Sequence, residues 1–255
     1  MHCVLVLPTE AEILPNETSS HLADGLHLVS KRTSVDYTCI PHSRPWHAAL
    51  FHDEDGFCSG VLVHPQWVLS AAHCWQKYYT IGLGLHRLYE RNEPGSQMIK
   101  ASFSVQHPKY VTAWKGYDLM LIKLSKPVVE SDTIRTISIS SKCPKTGTRC
   151  LVSGWGQLYN GKYSQILQCL DIPVLSAQSC RKVFDSNYHY SMFCAGGEGE
   201  KHACLSDSGG PVICNGHLKG LVSWDIRSCG KRGVPGIYTN LCKFKRWIRK
   251  IIRTR

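Results

Sequence analysis

The chain has 255 residues and 43% hydrophobic content, enough for one large domain or two small ones with an ample core. Its 13 cysteines exclude an ordinary reducing cytosol and point to a disulfide framework formed in an oxidising compartment. The formal net charge is +11, and no apolar run reaches the roughly 18 residues that a membrane-spanning helix needs.

Residues 1–32 differ in composition from the rest. Val4 to Leu7 is a short apolar run ended by Pro8, Glu10 and Glu12, without the basic start and longer apolar stretch of an ordinary secretory leader. The cysteine content outweighs this atypical leader, so the expected location is secreted and extracellular. Asn16-Glu17-Thr18 is a glycosylation sequon that matters only if the segment is translocated. Lys31-Arg32 is a dibasic processing signal, which divides the chain into a leader or pro-segment, 1–32, and a domain, 33–255.

Short β-type runs follow, separated by turn residues: Trp46 to Phe51, Gly60 to Val63, Trp67 to Ser70, Leu119 to Leu124 and Cys150 to Ser153. Pro211 to Cys214, Leu218 to Trp224 and Gly236 to Tyr238 continue the series. Many short strands with Gly and Pro turns predict an all-β barrel or sandwich. Helical periodicity is clear only near the end, where Phe244, Trp247, Ile248, Ile251 and Ile252 recur at helical spacing with basic residues between them. That segment reads as a helix docking one face and solvating the other, or as a surface for a polyanionic glycan. Nothing there suggests base recognition, so nucleic acid is set aside as a partner. The odd cysteine count leaves one over, and Cys3, far from the others, is the expected leftover.

Three segments carry chemistry. Cys204-Leu205-Ser206-Asp207-Ser208-Gly209-Gly210-Pro211 offers Ser208 as a nucleophile in a glycine-bounded turn. Leu69-Ser70-Ala71-Ala72-His73-Cys74 offers His73 as a base, and Tyr117-Asp118-Leu119 offers a carboxylate at the mouth of an apolar strand. A serine hydroxyl needs a neighbouring base to become nucleophilic at neutral pH. Histidine suits, since it can take the proton and return it to the leaving group. A buried aspartate holds the imidazole tautomer, and backbone N–H groups stabilise the oxyanion. Each residue alone is unremarkable, as a turn serine, a packed histidine or a strand cap. The order His, Asp, Ser is that of chymotrypsin-type proteases.

With these segments, the stretches Cys58 to Cys74, Gly154-Trp155-Gly156, Ser191 to Gly197 and Gly233 to Asn240 resemble the chymotrypsin-fold serine proteases from about residue 33 to the end. Within them the chain resembles the kallikrein-related peptidases, and Ile81 to His86 and Glu93 to Met98 carry that closer likeness. The resemblance implies an all-β fold of two perpendicular six-stranded antiparallel β-barrels, with the triad in the cleft between them and a C-terminal α-helix. It implies six disulfides: Cys39–Cys169, Cys58–Cys74, Cys143–Cys242, Cys150–Cys214, Cys180–Cys194 and Cys204–Cys229. It sets Ser223 beside Asp118, makes Trp224 a wall of the cleft and places Gly236 in the specificity pocket. It also implies a monomer made as a zymogen, with protein or peptide substrates, an activating protease and serine protease inhibitors as partners. No cofactor and no metal are expected; His42 and Glu93 match positions that resemble an inhibitory metal site, but two ligands make a poor zinc site and both read as surface residues.

Four positions depart from the family pattern. Cleavage after Arg32 would start the chain at Thr33-Ser34-Val35-Asp36, an ammonium for Asp207 without the usual apolar anchor. Ser206 stands where the family has the glycine whose N–H joins that of Ser208 in the oxyanion hole; a side chain there resists some backbone angles. His202 stands at the pocket base where tryptic members carry aspartate, so cleavage after Lys or Arg is not expected. His202 could instead plug the pocket, favour an acidic residue when protonated, or accept a polar or small aromatic group when neutral. Asp225 replaces a glycine at the pocket entrance, where it crowds the opening and could pair with His202. The expected activity is therefore a serine endopeptidase of non-tryptic specificity, impaired if these departures misalign the site. The alternative is a non-catalytic homologue that uses the scaffold to bind.

Overall fold

The computed structural model describes residues 36–53, 55–157, 162–198, 207–224 and 233–255. Six strands, β2 (His47–His52), β3 (Asp55–His64), β4 (Trp67–Ser70), β5 (Thr80–Leu83), β6 (Gln97–Gln106) and β7 (Met120–Leu124), form a closed antiparallel barrel in the spatial order β2-β3-β4-β7-β6-β5. The second sheet comprises β1 (Asp36–Thr38), β8 (Arg149–Gly154), β9 (Gln168–Pro173), β10 (Met192–Gly196), β11 (Pro211–Cys214), β12 (His217–Trp224) and β13 (Pro235–Asn240). Its order is β1-β9-β8-β11-β12-β13-β10. Six of these seven strands curl round until Val174, just past β9, bridges Ala195 of β10, and β1 adds a further strand outside β9.

Alternation explains why the central strands read as unbroken apolar runs. In β7, Met120, Ile122 and Leu124 point into the closed barrel, while Leu121 and the preceding Leu119 point outward. The outward side is also covered, by Leu218 and Leu221 of β12, by Phe244 and by Ile248 of the C-terminal helix α2 (Lys245–Thr254). Each fully buried side chain of this size contributes roughly 1.5–3 kcal/mol. A second core fills the other sheet with Val152, Ile172, Phe193, Val212 and Tyr238.

Several elements lack a strong sequence signal. Strand β6 alternates Ala101, Phe103 and Val105 with polar residues, but only Ile99 in it is buried, so it lacks the unbroken apolar run of the central strands. Helix α1 (Ala177–Phe184) has eight residues, too few for a clear period. Its N-terminus is capped by Ser176, whose hydroxyl accepts the N–H of Ser179 at 3.0 Å. Its Cys180 and Phe184, one turn apart, are buried.

Five of the implied disulfides are present: Cys39–Cys169, Cys58–Cys74, Cys143–Cys242, Cys150–Cys214 and Cys180–Cys194. The first closes 130 residues and clamps β1 to β9; in the chain-entropy account such a crosslink stabilises by about 4–5 kcal/mol. Cys204–Cys229 and Cys3 lie outside the described residues.

Candidate active site

His73 follows β4 on a short 3-10 turn, Ala72–Cys74. That turn is fastened on both sides. Cys74 is bonded to Cys58 of β3, and Gln106 at the end of β6 donates its side-chain amide to Ala72 O at 2.8 Å. Asp118 sits just before β7 and is 1% exposed. Its Oδ1 accepts the backbone N–H of His73 at 3.0 Å, and its Oδ2 accepts from His73 Nδ1 at 2.7 Å. The Ser223 hydroxyl donates to the same Oδ2 at 2.6 Å. The Asp118 carbonyl in turn accepts the Thr239 hydroxyl at 2.7 Å, so both ends of the residue are fixed.

A carboxylate can only accept, so His73 Nδ1 carries the proton and Nε2 is left as the basic nitrogen. Burial pulls the His73 pKa down, but the Asp118 hydrogen bond and charge together outweigh it, and the pKa stands above the ordinary histidine value. Ser223 reaches Asp118 because of an irregularity in β12. The pairing with β13 shifts register between Val222 and Trp224, which turns the intervening Ser223 out of the ladder.

Ser208 is half-buried at the tip of a tight turn held by both sheets. Its carbonyl accepts the N–H of Ser59 from β3 at 2.8 Å. The N–H of Gly209 donates to Val222 O of β12 at 2.8 Å, and Gly210 N–H closes the turn onto Asp207 O at 2.8 Å. The Cys74 sulfur lies 3.6 Å from Ser208 O, so the histidine turn and the serine turn abut. Gly209 has φ +80°, and any Cβ there would overlap Ser70 Oγ and Ser59 O.

Asp207 is buried against Gly154-Trp155-Gly156, with Oδ1 accepting the Gly156 N–H at 2.8 Å. A Cβ on Gly154 would overlap Asp207 Oδ1. Gly154→Ala is therefore expected to displace Asp207 and to lower stability by about 1–3 kcal/mol, the usual cost of overpacking. Thermal melting checks this; an unchanged melting temperature would show that the carboxylate has room to move.

Of the residues expected to line a specificity pocket, Trp224 is half-buried and packs edge-on against Phe184 of α1, with ring centroids 5.4 Å apart. It pairs with Ile237 across β12 and β13, and Gly236, next along β13, pairs with Ala195 of β10. A Cβ at Gly236 would come within 2.9 Å of the Tyr238 hydroxyl. Ser206, His202, Asp225, Arg32 and Thr33 lie outside the described residues.

His42 and Glu93 are not free surface residues. Glu93 uses both carboxylate oxygens on a loop, accepting the N–H of Arg87 at 3.1 Å and that of His86. His42 is half-buried at φ +58°, with its ring centroid 6.4 Å from that of His86. Among the described residues, one group has metal-ligand spacing, Cys58, His73 and Cys74, and the disulfide takes both of its sulfurs.

Sequence reasoning missed His47. It is 2% exposed, with Nδ1 2.9 Å from Ser153 Oγ and Nε2 3.2 Å from Ser59 Oγ, and its ring stands edge-on to Trp155. It bridges β8 to β3 beneath the Ser208 turn. The available signal was its place in the apolar run Trp46 to Phe51, where a histidine must find polar partners.

The trypsin family model matches residues 35–248, which span both sheets and all the site residues described above. The chain belongs to the trypsin family. It is 60% identical to human Kallikrein-4 over 216 residues, covering 84% of this chain and 85% of that protein. Human Kallikrein-5 is 44% identical over 84% of this chain and 74% of its own length, and rat Trypsin-4 is 43% identical over 84% and 87%. Among solved structures, mouse neuropsin, a serine protease expressed in the limbic system, superposes with a TM-score of 0.81 at 37% identity. That match covers 85% of this chain and 98% of the neuropsin chain. These relatives make the chain a kallikrein-related peptidase homologue of trypsin-like fold.

Proposed function

We propose that this kallikrein-type chain is a secreted serine endopeptidase working through an acyl-enzyme. The observation that carries the reading is the unbroken link from Ser223 through Asp118 to His73, beside the turn that holds Ser208. In this reading His73 Nε2 takes the Ser208 hydroxyl proton as the oxygen attacks the scissile carbonyl, then gives it to the leaving amine. Asp118 holds the ring and stabilises the imidazolium, and water repeats the cycle on the ester. In the same reading the oxyanion would take its hydrogen bonds from the N–H groups of Ser206 and Ser208, each donor being worth roughly 3–4 kcal/mol.

The chain is made as a precursor of 1–32 and 33–255. An activating protease cuts after Arg32, and the new Thr33 ammonium approaches Asp207. Specificity is not tryptic, because His202 supplies no anion for a basic substrate residue, and Ser223, Trp224, Asp225 and Gly236 complete the pocket. Partners are protein or peptide substrates and serine protease inhibitors.

The test is a fluorophosphonate probe applied to refolded chain cleaved after Arg32, with Ser208→Ala as control. Labelling at Ser208 by mass is expected, and none in the variant. Folded, correctly cleaved protein that takes no label would sink the enzyme reading. It would favour the non-catalytic binding scaffold, to which the substitutions at Ser206, His202 and Asp225 already point.

A further inference from the structure

The net charge of +11 is not spread evenly. Between Lys243 and Arg255 the chain has seven cations and no acidic residue. On α2 the positions 246, 249, 250 and 253 follow helical spacing, so Arg246, Arg249, Lys250 and Arg253 share one face along about 10 Å. All four are exposed. The opposite face carries Phe244 and Ile248, which are 4% and 1% exposed, with Trp247, Ile251 and Ile252 packed beside them.

This arrangement works against the helix itself. Like charges three and four residues apart on a helix repel one another. Lys245 and Arg246 oppose the positive end of the helix dipole, and no acid occupies the first turn. Among the described residues no acidic side chain pairs with any cation of α2; the ion pairs lie at His52–Asp53, His73–Asp118, Arg87–Glu90 and Arg149–Glu198. The helix is held by its apolar face, and its cationic face is left uncompensated. At the helix end Lys123 of β7 donates to the main-chain oxygen of Arg255. At the other end, Lys109 lies over the Tyr117 ring at 5.6 Å, and both it and Lys243 bear on the exposed Tyr190 hydroxyl.

We propose that this row is a binding site for a sulfated glycan, made by residues other than those around the Ser208 turn. A narrow line of cations suits a linear polyanion, which would supply the missing countercharge along the whole face. An anionic membrane fits less well. Surface helices bind bilayers by inserting an apolar face, and here that face is already buried in the core. Five disulfides place the chain where sulfated glycans, rather than nucleic acids, are the abundant polyanions. The proposal stands on α2 alone and does not depend on catalysis.

The test is affinity for heparin measured across a sodium chloride series, using the full chain. The variant Arg246→Gln/Arg249→Gln/Lys250→Gln/Arg253→Gln keeps good helix formers and removes the row. A control, Lys142→Gln/Lys145→Gln/Arg181→Gln/Lys182→Gln, removes the same charge from exposed positions elsewhere. The helix variant is expected to lose about three to four from the slope of log affinity against log salt, and the control about one or less. Fully desulfated heparin should bind neither form. Melting temperatures measured without heparin show that both variants fold. Should the helix variant melt early, the single Arg249→Glu serves instead, with a smaller loss of the same sign. Equal losses in variant and control would overturn the proposal, as would phosphatidylserine vesicles binding more tightly than heparin through the same four residues.

Discussion

Asp118→Asn is expected to lower kcat/KM on the order of 10⁴-fold at neutral pH, by reversing the His73 tautomer. The structure dictates which way the new amide turns. His73 N–H can only donate, and it meets Asp118 Oδ1 at 3.0 Å, so the asparagine oxygen must stay there. The NH2 group then faces His73 Nδ1 and Ser223, where Oδ2 had accepted from both. Nδ1 becomes an acceptor, the proton moves to Nε2, and Nε2 can no longer take the Ser208 proton. The pH profile provides a second reading. The His73 pKa is pulled down by burial and held up by the Asp118 hydrogen bond and charge. Without that charge only burial remains, so the acid limb of kcat/KM moves to lower pH while the plateau falls. A loss of less than tenfold, or a limb that stays in place, would show that Asp118 does not set the tautomer.

The candidate triad of Ser208, His73 and Asp118 stood out in the sequence because its residues sit in short local contexts: a glycine-bounded turn, a strand-to-turn exit, and a carboxylate before an apolar strand. The strands flanking them were legible for a related reason. Val61, Leu69 and Leu121 pack outward while Leu62, Val68 and Ile122 pack inward, so burial on both faces leaves an apolar run in the sequence. Strand β6 carries no such mark, because its ladder is made by backbone pairing to β5 and β7 while most of its side chains reach solvent. Short helix α1 depends on a serine cap and on Cys180–Cys194, features that act through tertiary neighbours. The implied pairing of five disulfides came from family likeness; thirteen cysteines alone do not choose partners. Ser59, Ser70 and Ser153 were not legible as site residues. Their roles arise only in the folded molecule: Ser70 donates to Ser59 O within the barrel, while Ser59 N–H meets Ser208 O and Ser153 meets His47 from the other sheet.

His47 is where that meeting makes the molecule sensitive to acid. Burial, and secondarily the Arg44 charge, push its pKa from 6.5 down to about 3. The unfolded chain therefore takes up a proton as pH falls below about 6.5, while the folded chain refuses it until about pH 3. Stability is thus present above the unfolded value and is lost on acidification, at roughly 1.4 kcal/mol per pH unit and roughly 4–5 kcal/mol across the window. Small domains have about 5–15 kcal/mol in all, so this one ring is large enough to set the acid limit. The loss should reach the nucleophile early. His47 contacts Ser59, whose N–H holds Ser208 O, and Ser153, whose neighbour Gly154 packs against Asp207. Urea unfolding of the chain and of His47→Gln, compared from pH 7 to pH 4, isolates the residue from the other histidines. Glutamine keeps a donor and an acceptor but takes no proton, so its stability should fall less steeply by about 1.4 kcal/mol per unit below pH 6.5. Because the comparison is of slopes, a lower starting stability in the variant does not matter. Parallel slopes would mean that His47 is protonated in the folded state, and that the hydrogen bonds to Ser59 and Ser153 survive the charge.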